Sequence, residues 1–187
     1  MKIVFIDAEF TGEHAFTTLV SLGLVTLEGD EFYISVNDYS EDQVTEWLRE
    51  NVLNKIDQTK SISSKEAFKS ISAWLENYSN GEKIHLVSAG KGADLILLFE
   101  LWKYSNFDLK YFHSLHCLPN YLNHNSHFDL NTLFMVAGIE PDINREYFAR
   151  KSNSDKRHNA LHDAIIVKEC FIKLRDEGIL KKFFDAK

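Results

Sequence analysis

Three β-rich runs crowd the first 36 residues and restrict what the chain can become. KIVFID (2–7) is apolar and β-branched, the pattern of a buried strand. LVSLGLVTLE (19–28) and EFYISV (31–36) follow, parted by Gly29-Asp30, a turn dipeptide that predicts an antiparallel hairpin. The chain therefore opens with a three-stranded meander, whose apolar residues must be covered by later elements.

Helical patterns supply the cover. Ser40 to Gln43 has the form of a capping box, with VTEWLRENVL (44–53) continuing as a helix. Ser63 and Glu66 form a second box. Behind it Phe68, Ile71, Trp74, Leu75 and Tyr78 recur at helical spacing, with Gly81 as a stop. IHLVSA (84–89) predicts a strand, AGKGAD a Gly-rich turn, and DLILLFELWKY (94–104) an apolar helix. YFHSLHCL (111–118) predicts a further strand, and DLNTLFMVAG (129–138) a short helix opened by Asp129 as its cap. The segment 159–178 is a helix with Ala160, Ala164, Val167, Phe171 and Leu174 on one stripe and Gly178 at its end. This order predicts an α/β fold, a mixed sheet flanked by helices. No repeat, low-complexity tract or linker divides it, so residues 1–187 are expected to form a single domain.

The charge narrows the partners. A formal net charge of −7 argues against broad capture of duplex nucleic acid, though a carboxylate-rich metal centre would itself make the total negative. Cys117 and Cys170 do not suggest a disulfide framework. MKIVFIDAEF is broken by acids too early for a secretory leader, and no apolar run nears the ~20 residues of a membrane span. A cytoplasmic location and no membrane partner are the expectations.

Asp7 and Glu9 stand two apart at the end of the first strand, so both carboxylates face one side and repel unless a cation or proton intervenes. The plainer reading is two acids ending a strand in water. Asp94 opens an apolar helix, where it could simply complement the helix dipole. Gly90-Lys91-Gly92 lacks the sequence of a phosphate-binding loop. His158 and Asp163 lie five apart, about 500° on a helix, so they converge only if His158 sits in the preceding loop with Asn159 as cap. Asp163 then falls in the second turn; the alternative is a capping histidine beside an exposed acid. His113, His116, Cys117, His124 and His127 match no zinc spacing and predict a polar loop.

Together FIDAEFTG (5–12), AGKGADLILL (89–98) and HNALHDA (158–164) resemble the three motifs of the DEDDh branch of 3′–5′ exonucleases. Within that branch the chain is most similar to small bacterial RNase AS-like exoribonucleases, which carry a Trp-containing helix like EWLRENVL. The resemblance implies a ribonuclease H-like mixed sheet, an antiparallel three-stranded meander plus parallel strands. It implies Asp7, Glu9, Asp94 and Asp163 as ligands of two Mg²⁺ or Mn²⁺ ions, and His158 as the base. All five would be catalytic. It also implies that Phe10, Thr11 and Gly12 meet the 3′-terminal nucleotide. Core packing is the other role open to Phe10, and His162 is a neighbour the motif does not need. One departure is Gly90, four residues before Asp94, where proofreading relatives carry Asn.

The implied activity is removal of nucleoside 5′-monophosphates from single-stranded 3′ ends, with RNA favoured over DNA only through the narrower likeness. A homodimer is implied by similar small enzymes. A DNA-directed exonuclease, a non-catalytic nucleic-acid-binding module of the same fold and a hydrolase of small nucleotides remain open, although retention of all five acidic and histidine positions speaks against the binding module.

Overall fold

A computed structural model describes residues 1–90, 92–105, 118–123, 127–151, 158–178 and 180. Five strands are described: β1 (Lys2–Phe10), β2 (Leu19–Thr26), β3 (Glu31–Ser35), β4 (Ile84–Ser88) and β5 (Phe128–Asp129). They form one sheet in the order β3-β2-β1-β4-β5. β1, β2 and β3 make the antiparallel meander, while β4 and β5 add in parallel beside β1. The mixed sheet of the sequence reading is present, but the last strand is Phe128–Asp129. Most of the strand expected at 111–118 lies outside the described residues, as do Lys91, His113, His116, Cys117 and His124.

Strand alternation along β1 sorts the core into two layers. Val4, Ile6 and Ala8 join one cluster with Ala67, Ile71 and Leu75 of helix α2 (Ser64–Ser79) and Leu97 and Leu98 of α3 (Gly92–Glu100). Ile3 and Phe5 face the other side, packed against α4 (Leu130–Val136) and α6 (Ala160–Asp176). Phe5 meets Phe171 edge to face at 5.2 Å. The whole expected α6 stripe is buried. Asp7 and Glu9 continue the Ile3–Phe5 parity, which directs them to the α6 side.

Two helix starts show how local signals compete. Ser63 accepts from the Glu66 amide and Glu66 reaches back to the Ser63 amide, completing the expected box. The box expected at Ser40 does not form: Glu41–Gln43 is a 3₁₀ turn and α1 (Glu46–Asn51) starts at Thr45, whose hydroxyl accepts from the Leu48 amide. Gln43 is engaged elsewhere. Its Oε1 accepts from the Thr11 hydroxyl at 2.5 Å, and its Nε2 donates to the Phe16 carbonyl at 3.0 Å. A short helix without a sequence signal, α5 (Arg145–Phe148), follows Pro141, with Asn144 as cap.

Candidate active site

β1 runs on to Phe10, so Asp7 and Glu9 lie within the strand and not beyond it. The pairing with β2 shifts register between Glu9 and Phe10, an irregularity of the kind that re-aims side chains at strand ends. Asp94 comes from the opposite layer. It is the third residue of α3, buried, and its Oδ1 accepts the amide of Ala8 at 3.3 Å. That bond ties the helix to the residue between the two strand acids.

α6 brings the remaining pair. Asn159 caps it, accepting from the His162 amide, and Asp163 lies in the first turn, one turn earlier than expected. His158 precedes the helix in a left-handed conformation, φ +59°. Its amide donates to Asp163 Oδ2 at 3.1 Å, which folds the loop back over the helix start. The five-residue separation is thus closed by the loop. Trp47 of α1 sets its ring edgewise against the His158 imidazole, centroids 5.0 Å apart.

The helix comes close because β2 carries no side chain at Gly23. A Cβ there would stand 2.3 Å from the Ala160 carbonyl carbon and the Leu161 nitrogen. The first turn of α6 therefore lies directly on the backbone of β2.

Asp7, Glu9, Asp94, His158 and Asp163 all line one cavity of about 760 Å³, as do Phe10, Thr11 and Gly12. That volume falls within the range of small-ligand sites, about 300–1,000 Å³. Carboxylate oxygens of Asp7, Glu9 and Asp163 lie within 4.8 Å of one another. Asp94 stands outside that tight group but on the same wall. Thr11 is buried, its amide donating to the Thr18 carbonyl and its hydroxyl to Gln43, while Phe10 also packs on the core.

Crowding sets the charge state. Burial, then Asp94, Asp163 and Glu9, push the Asp7 carboxyl well above the usual carboxylate range. Burial lifts Asp163 to about 6, against the lowering effects of His162, the His158 amide and Arg145. Carboxylates held this close need a proton or a cation between them. Oxygen donors alone suit a hard divalent ion such as Mg²⁺ or Mn²⁺.

Other expected positions resolve differently. His162 does not line the cavity; its Nε2 lies 3.4 Å from Glu146 Oε1. Asp129 caps α4 and accepts from the Gly90 amide at 2.7 Å. His127 contacts the Ser88 hydroxyl at 3.1 Å. The Cys170 thiol is buried in α6, pushed up to about 12 by burial, and donates to the Arg145 carbonyl. The cavity wall also takes residues that the sequence did not assign to the site, among them Trp47, Arg145 and Glu146. Trp47 lies in the helix EWLRENVL that carried part of the resemblance, but no motif marks Arg145 or Glu146, which enter through the packing of α5 around the cavity.

The sheet order, with acids on its central strand and on both helix layers, is that of a ribonuclease H-like fold. The structure of S. pombe Pop2p, solved with Mg²⁺ and Mn²⁺ bound, superposes with a TM-score of 0.62 at 13% identity, covering 93% of this chain and 82% of that one. The chain belongs to the family of Rv2179c-like 3′-5′ exoribonuclease domains, whose model matches residues 2–174. No curated protein matches the sequence. Among the described residues no helix is long and apolar enough to cross a membrane.

Proposed function

We propose that the chain is a metal-dependent 3′–5′ exonuclease that shortens single-stranded RNA ends and releases nucleoside 5′-monophosphates. The observation that carries this reading is the meeting of Asp7, Glu9, Asp94, His158 and Asp163 in one cavity of an exoribonuclease-family domain. Asp7, Glu9 and Asp163, with Asp94 beside them, would hold two divalent ions, which supply charge neutralisation at the phosphate and a more acidic water.

The chain's own groups do the rest. His158 accepts the proton of the attacking water. The water oxygen bonds to phosphorus and the bond from phosphorus to the 3′ oxygen of the preceding nucleotide breaks, with a proton returning to that oxygen. Trp47 restrains the imidazole from one side and Asp163 fixes its backbone from another. Phe10, Thr11 and Gly12 form the wall for the terminal nucleotide. RNA is favoured over DNA on the strength of the family description.

Oligonucleotides labelled at the 3′ or the 5′ end, RNA and DNA, test this with and without Mg²⁺ and with Asp163→Ala. Stepwise shortening from the 3′ end, dependent on the ion and abolished by the substitution, is the expected result. Cleavage of mononucleotides alone would refute it.

A further inference from the structure

Arg145 is a cation in a cavity built from acids. It lines the same cavity as Asp7, Glu9, Asp94 and Asp163. Yet among the described residues no carboxylate forms an ion pair with it. Its Nη2 is instead held by neutral acceptors, Asn131 Oδ1 at 2.8 Å and the Ala89 carbonyl at 3.4 Å. Its Nε is buried and has no hydrogen-bond partner. Buried donors are almost always satisfied, so one left open beside a cavity points to an acceptor that arrives with a ligand.

The geometry of the guanidinium narrows the chemistry of that acceptor, since its Nη2 is already anchored to Asn131 while Nε stays unpartnered. A guanidinium anchored at one nitrogen presents its other N–H groups in a fixed fork, suited to the oxygens of a phosphate.

We infer that Arg145 is a phosphate-binding residue of this site, holding the phosphate of the 3′-terminal nucleotide in the cavity that the carboxylates line. The inference rests on the exonuclease reading above. A purely structural Arg145, stapling α4 and α5 to the end of β4, would make no distinction between a nucleotide and its nucleoside.

Calorimetric titration separates the two roles. Cytidine 5′-monophosphate and cytidine are each titrated into wild-type protein, Arg145→Gln and Arg145→Lys, all saturated with Mn²⁺. Hydrogen bonds to charged groups are worth about 1.5–3 kcal/mol, which is roughly 10- to 100-fold in affinity. Arg145→Gln should weaken the monophosphate by that factor and leave cytidine unchanged. Arg145→Lys keeps the charge and loses the fork, so its loss should be smaller yet still confined to the monophosphate. Should Arg145→Gln fail to fold, the lysine variant decides by the same contrast. Equal losses for both ligands, or none for either, overturn the inference. RNA shortening by the wild-type protein reports the exonuclease reading separately. Shortening with an unchanged monophosphate affinity in the variants refutes Arg145 alone, and no shortening refutes both.

Discussion

Gly23→Ala would test whether the active site depends on the seat of α6 against β2. The added Cβ meets Ala160 and Leu161 backbone at 2.3 Å, where an ordinary contact needs 3.4 Å. Backbone cannot swing aside, so the first turn of α6 has to retreat by about 1 Å. Overpacking of this kind costs about 1–3 kcal/mol. At roughly 2–4 °C per kcal/mol for a domain of this size, Tm should fall by several degrees. The catalytic effect should be disproportionate, because the retreating turn carries Asp163 and positions His158, while Asp7 and Glu9 stay on β1. A displacement near 1 Å can cost about 100-fold in rate. The assay is kcat on a 5′-labelled RNA oligomer, read beside the melting curve and Mn²⁺ affinity at a temperature where the variant is folded. A variant that melts lower but keeps its kcat and Mn²⁺ affinity would refute the claim that this contact sets the site's geometry.

Other substitutions probe separate parts of the site. His158→Ala should lower kcat by about 10²–10⁴-fold while Mn²⁺ still binds; near-wild-type turnover would exclude the imidazole as the base. Asp163 titrates at about 6 in the fold against an ordinary 3.8, so the folded chain holds its proton through that window. The ion-free wild type should therefore lose stability relative to Asp163→Asn as pH rises from about 4 to 6, and Mn²⁺ should raise its Tm far more at pH 7 than at pH 4.5. Thermal melts across that range, with and without the ion, check both signs. Gln43→Ala removes the two bonds that clamp Thr11 and Phe16, worth about 1 kcal/mol each. It should raise KM for RNA ends without changing Mn²⁺ affinity, as steady-state kinetics and a metal titration would show.

Side-chain parity made the strand acids legible: once KIVFID was a buried strand, Asp7 and Glu9 had to share a face. The separation of His158 from Asp163 likewise required a loop, and the loop is there. The failures have physical causes. Gln43 left its expected helix start because Thr11 and the Phe16 carbonyl offered it partners 32 and 27 residues away. β5 has only two residues, fixed by pairing with Val87 and Ser88, so no alternation of its own could announce it. Arg145 acts 18 residues before Asp163 from a four-residue helix, and only the three-dimensional closure of the cavity assigns it to the site.

The left-handed backbone of His158 sets two requirements against each other. A side chain with a Cβ is strained at φ +59°, by about 1–2 kcal/mol, whereas glycine or asparagine accepts that conformation readily. The position best relieved by replacement is therefore the one whose imidazole the chemistry uses. A library of this domain sorted only for heat resistance should enrich His158→Gly and His158→Asn, yielding sturdier proteins that no longer cut RNA.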